Sequence, residues 1–196
     1  MSLLKVPHIK QSAETTCGAA ALCMIYWYHG LKHQSEDKIW VRLKETRKLN
    51  PNEEFIPTAK LAYDAKSNGL HYIFGQAVWD DTKKVLRLLE EFLRIDVPII
   101  VCQRFKDDQL IGHFRIVIGI EGNNIILTDS ELDKPESKMN IDEFISKWQK
   151  CSDEVVGGQF VAILNDDQIK KLKNIPVYKF NADIKDFEAG NLNFEP

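Results

Sequence analysis

AETTCGAAALCMIYWYHG, residues 13–30, is the stretch on which the fold turns. Ala19, Ala20, Ala21, Leu22 and Met24 favour helix and Gly30 suits the left-handed position just past a helix end, so a helix is expected from near Cys17 to Gly30. A surface helix carries one apolar stripe, whereas this one is apolar nearly all round and has to be enclosed. The rest of the chain must therefore supply the layers around it.

Working outward, Ser35 caps a short helix to about Thr46, and Thr58–Ser67 forms another that ends at Asn68-Gly69. HYIFG (71–75) reads as a strand, and Asp80 and Asp81 open an amphipathic helix whose stripe is Val85, Leu88, Leu89 and Phe92. Beyond Pro98 the period changes to that of strands. PIIVCQR (98–104), HFRIVI (113–118), IILTD (125–129) and QFVAIL (159–164) are β-branched or apolar runs parted by turn signals, with a helix from Asn140 to Lys150 before the last. A helical first half and a strand-rich second half predict an α+β fold, the central Cys-bearing helix packed on a mainly antiparallel sheet. The expected domain spans residues 1–165, and 166–196 is an extension or tail.

The 196 residues suit one domain with a sizeable core. With 26 Lys and Arg against 29 Asp and Glu, and no concentrated basic stretch, nucleic acid is not an expected partner. No window of 18 apolar residues and no secretory signal are present, so a cytoplasmic protein without a membrane span is expected. Cys17, Cys23, Cys102 and Cys151 are sparse and irregularly spaced, which predicts reduced thiols. Cys17, Cys23 and His29 spread around one helix, so with His33 they form no convergent metal set, and no cofactor motif is visible.

Cys17 is the first residue with a chemical reading, because unsatisfied N–H groups and the dipole at a helix start stabilise a thiolate. The competing reading is a buried Cys acting as a small hydrophobe, and the partners decide between them. His113 and Asp129 flank a turn containing Gly122, Asn123 and Asn124. A hairpin folding about Glu121 would set Val117 opposite Ile125, Arg115 opposite Leu127, and His113 directly opposite Asp129 on one face. Asp129 could then fix the tautomer of His113 and leave its other nitrogen for a thiol. Gln11, six residues before Cys17, is placed to offer an amide N–H to an oxyanion. Gly157-Gly158 reads as a turn, Cys23 as core, and His8, His33 and His71 as surface or turn residues.

Gln-x5-Cys-Gly in VPHIKQSAETTCGAAAL, Gly-His-Phe at 112–114 and an Asp sixteen residues after the His resemble the papain-like cysteine peptidases, nearest the bacteriocin-processing branch that cuts leader peptides after a double glycine. The likeness runs from about Val6 to Leu164. It implies a papain-like fold, a peptide or protein substrate, and a thiol hydrolase with Cys17 as nucleophile, His113 as general base and acid, Asp129 as orienting group and Gln11 as oxyanion donor. Thr16 stands where that family commonly has an acidic residue, and Ser130 where Pro is frequent. Acyl transfer to water and to an amine share a first half-reaction, so a Cys-His-Asp acyltransferase is one alternative. An inactive papain-like module that binds a peptide is the other.

Overall fold

The computed structural model describes residues 3–47, 51–77, 82–105, 112–149, 156–172, 175–177, 179–183 and 192–194. Helix α1, Cys17–Tyr28, is the buried helix its composition requires, with every residue from Cys17 to Tyr26 enclosed. It ends as expected: Gly30 takes φ 85°, its N–H donates to the Trp27 carbonyl, and the Leu31 N–H reaches back to Tyr26. These two bonds satisfy carbonyls that a helix end leaves orphaned.

Around α1 lie α2 (Glu36–Leu43) and α3 (Thr58–Ser67). Ser35 caps α2 by accepting from the Lys38 N–H. The helix stops short of the expected Thr46, because Glu45–Thr46 forms a strand, β1, paired with β2 (Glu54–Phe55), and Lys44 bridges to Glu54 at 2.8 Å. A buried polar cluster ties the three helices together. Tyr26 Oη donates to Asp64 Oδ2 at 2.6 Å, and Arg42 meets the same carboxylate through Nε and Nη2 at 2.7 and 2.6 Å. An ionised group survives burial when it is paired and fully hydrogen-bonded in this way.

Seven strands form the main sheet: β3 (His71–Gln76), β4 (Ile99–Arg104), β5 (Gly112–Glu121), β6 (Asn124–Asp129), β7 (Ser137–Asn140), β8 (Gln159–Leu164) and β10 (Lys179–Asp183). Their order is β10-β3-β8-β4-β5-β6-β7 and every pairing is antiparallel. Strand β9 (Ile175–Val177) pairs separately with β11 (Leu192–Phe194). Helix α4 (Thr82–Arg94) buries the expected Val85, Leu88, Leu89 and Phe92, while Asp80 and Asp81 fall outside the described residues. Helix α5 (Ile141–Gln149) buries Phe144 and Trp148, and the Trp148 indole N–H reaches the Gln159 carbonyl at 2.8 Å. The segment after residue 165 adds α6 (Asp166–Lys171), whose Gln168 side chain donates to the Asp96 carbonyl, and it adds β10 to the sheet edge. No helix among the described residues is long and apolar enough to cross a membrane.

The β5–β6 register departs from the sequence reading. The strands turn over two residues, Gly122 and Asn123, and a bulge falls between Val117 and Gly119. Arg115 therefore faces Asp129 and Val117 faces Leu127, where the sequence reading set His113 opposite Asp129. The tight loop and the added bulge residue together displace the pairing by two positions. Because side chains alternate with a period of two, an even shift keeps His113, Arg115 and Asp129 on one face. His113 thus reaches Asp129 along the diagonal.

Candidate active site

Strand β5 packs against the first turn of α1. A Cβ on Gly18 would lie 3.1 and 3.2 Å from the Phe114 ring and 3.3 Å from Ile56, so any larger residue would make these neighbours give way by a few tenths of an ångström. The contact places the sulfur of Cys17 beside the N–H groups of Gly18 and Phe114, and within a hydrogen bond of His113. His113 Nε2 lies 2.6 Å from Asp129 Oδ1. With Nε2 engaged there, Nδ1 is the nitrogen left for Cys17.

The carboxylate of Asp129 is satisfied on every side. Oδ1 also accepts from the Glu131 N–H at 3.0 Å, and Oδ2 accepts from Arg115 Nε at 2.7 Å. Arg115 Nη1 donates to Gln103 Oε1 at 3.2 Å, and Gln103 Nε2 donates to the Phe144 carbonyl of α5 at 2.9 Å. Gln103 is directly opposite His113 in the β4–β5 ladder. The Phe105 ring lies 4.9 Å from the imidazole, centroid to centroid, and shields one side of it from water. His8 Nε2 contacts the Asp129 backbone carbonyl at 3.1 Å.

Burial and charge compete at each of these groups. Burial alone would raise the Cys17 thiol, but its hydrogen bond to His113 and the imidazolium charge hold it below the ordinary thiol value. Burial would lower His113, yet the bonds to Asp129 and Cys17 push it up to about 9. Asp129 resists the upward push of burial and sits well below the usual carboxylate range, held there by His113 and Arg115. Thiolate, imidazolium, carboxylate and guanidinium alternate in sign along the chain of contacts and sum to zero. A neutral, hydrogen-bonded string is the form in which such charges tolerate a low-dielectric setting. By contrast, Cys102 and Cys23 have no imidazole partner, and burial pushes them up to about 12 and about 11. All three of these cysteines are free thiols.

Of the four residues singled out in the sequence, the structure brings Cys17, His113 and Asp129 together. Gln11 is tethered close by: its backbone N–H donates to the Ser130 carbonyl at 2.9 Å. Its Nε2 reaches the carbonyls of Ala13 and Glu14 at 3.0 and 3.3 Å, and its Oε1 accepts from Ser130 Oγ at 2.8 Å. Sequence reading missed Arg115, Gln103 and His8. The signal for the first two was an Arg and a Gln inside the apolar runs HFRIVI and PIIVCQR; His8 carried none. Gly157-Gly158 is a turn, with Gly158 at φ 81° and its N–H on the Trp148 carbonyl. Among the described residues, no group of three or more His, Cys, Asp or Glu is placed to hold a metal.

A cysteine heading an enclosed helix and meeting a His and an Asp carried by an antiparallel sheet defines the papain-like class of cysteine peptidases. Residues 5–152 match the model of the Peptidase C39 family, and the chain belongs to that family of thiol hydrolases. No protein of curated function matches the sequence. Among solved structures, a C39-like peptidase from Bacillus anthracis shares 16% identity with a TM-score of 0.64, covering 83% of this chain and 96% of that one. The peptidase domain of Streptococcus ComA, a bifunctional ABC transporter of a quorum-sensing pathway, shares 19% with a TM-score of 0.60, covering 82% and 99%. A double-glycine-motif protease from an AMS/PCAT transporter, solved with a leader peptide, shares 18% with a TM-score of 0.56, covering 84% and 95%. At these identities the likeness is one of fold.

Proposed function

We propose that Cys17 is the nucleophile of this C39 peptidase, His113 its general base and acid, Asp129 the group that orients His113, and Gln11 an oxyanion donor. The observation that carries the reading is the 2.6 Å contact of His113 Nε2 with Asp129 Oδ1, which leaves Nδ1 available to Cys17. The thiolate attacks the carbonyl carbon of a peptide bond, the C–S bond forms, and the carbonyl electron pair moves to oxygen. The N–H of Cys17 and the amide of Gln11 receive that oxyanion. Collapse breaks the C–N bond, and the departing nitrogen takes the proton from His113 Nδ1. Water then attacks the thioester, giving its proton to the neutral imidazole, and the acid leaves as the thiolate–imidazolium pair is restored.

The proposed substrate is a peptide or a protein segment. A fold neighbour was solved with a leader peptide and is named for its double-glycine motif, so peptides with a scissile bond after Gly-Gly are the first to test. Three free thiols suit a reducing compartment, and the proposed location is the cytoplasm. The decisive experiment incubates the protein and its Cys17→Ala variant with a peptide library that includes Gly-Gly sequences, reading products by mass. Cleavage by the parent alone is expected. If Cys17→Ala cleaves at the parental rate, the assignment of the nucleophile is wrong.

A further inference from the structure

Ser130 follows the orienting aspartate, and no step of the proposed mechanism uses it. It is fully buried, and it binds Gln11 twice. Its hydroxyl donates to Gln11 Oε1 at 2.8 Å, while its carbonyl accepts the Gln11 backbone N–H at 2.9 Å. The other end of the Gln11 amide is held by the carbonyls of Ala13 and Glu14, at 3.0 and 3.3 Å, a forked contact that one of its two N–H hydrogens can make. Ala13 is fixed in turn by Thr16, whose Oγ1 donates to the Ala13 carbonyl at 2.9 Å and accepts its N–H at 3.1 Å.

We infer that Ser130 is a positioning residue for the oxyanion donor: its hydroxyl sets the orientation of the Gln11 amide, so that the second N–H of Nε2 is presented to the reacting carbonyl oxygen. A side-chain amide is nearly symmetric in shape, and what distinguishes its oxygen end from its nitrogen end is the hydrogen-bond partner each finds. A hydroxyl could serve either end, and here it meets the oxygen. Two carbonyls, which only accept, meet the nitrogen. The two departures noted in the sequence, Thr16 and Ser130, thus stand at opposite ends of one tether. A residue without a hydroxyl at 130 would keep the carbonyl contact and lose the bond to Oε1.

The inference rests on Gln11 being the oxyanion donor, and one pair of assays separates the two ideas. Alkylation of Cys17 by iodoacetamide displaces iodide at a saturated carbon and forms no oxyanion. Acylation by p-nitrophenyl acetate passes through one. For Gln11→Ala the acylation rate is expected to fall roughly 100-fold, as removal of an oxyanion donor does elsewhere. For Ser130→Ala it should fall about 10-fold, alkylation in both should stay within about twofold of the parent, and Ser130→Ala in the Gln11→Ala background should cost nothing further. Ser130→Gly serves as a second hydroxyl-free variant should Ser130→Ala fold poorly. Loss in Gln11→Ala with parental acylation in both Ser130 variants would overturn the positioning role alone. Parental acylation in Gln11→Ala would overturn the oxyanion assignment and the inference with it.

Discussion

Arg115 lies directly opposite Asp129 across the β5–β6 ladder and holds its carboxylate through a 2.7 Å contact. The strand that carries His113 thus also carries the cation that fixes the partner of His113. Removing the guanidinium leaves a buried carboxylate with one counter-ion fewer. Arg115→Met should lower stability by about 3–5 kcal/mol, as breaking buried pairs does. Urea denaturation checks it, and in a double-mutant cycle with Asp129→Asn the loss in the double variant should fall short of the sum of the two single losses.

The depression of Cys17 comes from His113 acting against burial. In His113→Ala burial is opposed only by the N–H groups of Gly18 and Phe114, and Cys17 should move up toward Cys102 and Cys23, which burial raises. Mass-spectrometric alkylation at pH 6 is expected to fall roughly 100-fold at Cys17, with the other thiols unchanged. Parental labelling would mean that the imidazole does not govern the thiol.

The proposed mechanism of peptide cleavage needs the thiolate and the imidazolium together. Its rate should rise below the ordinary thiol range and decline as pH passes about 9, where His113 loses its proton. Stability follows the same group. The folded value of about 9 lies above the ordinary 6.5, so the contribution is complete below about 6.5 and is lost as pH rises through about 9. Denaturation midpoints at pH 6 and pH 10 should differ more for the parent than for His113→Gln.

Gly18 is where α1 and β5 touch, and a methyl there would press on Phe114, the residue after His113. Gly18→Ala should cost about 1–3 kcal/mol by overpacking and should slow p-nitrophenyl acetate acylation out of proportion to that loss. Thermal melts alongside the acylation rate separate the two effects.

Tyr26→Phe removes a 2.6 Å hydrogen bond to a charged acceptor far along α1 from Cys17. A loss of about 1.5–3 kcal/mol is expected, with Arg42 still pairing Asp64. Cys17 alkylation should stay at the parental rate, and a change in it would show that the polar cluster communicates with the thiol.

The elements with strong periods were legible: the all-apolar helix at 17–28, the stripe of α4 and the core strands each declare themselves. Cys17, His113 and Asp129 were legible too, because a helix-start Cys and a His and Asp about one hairpin are local patterns. Register was not. It depends on a bulge whose extra residue, near Ile118, looks like any other strand residue. Strand β7, Ser137–Asn140, escaped notice because SKMN has no apolar alternation and is a strand by virtue of pairing with β6. The contact of His8 with Asp129 spans 121 residues and leaves no trace in local sequence.

That separation bears on when the protein becomes reactive. Leu4 donates to Ile118, His8 and Gln11 meet residues 129 and 130, and Cys17 meets a histidine 96 positions later. During synthesis the cysteine emerges long before the hairpin that depresses its pKa, and closing so long a loop must come before any of those contacts reward it. A nascent or half-folded chain therefore carries an ordinary thiol. The proposed nucleophile gains its partners only with the finished β5–β6 pair, so a thiolate at Cys17 is expected of the completed fold and not of the chain on its way there.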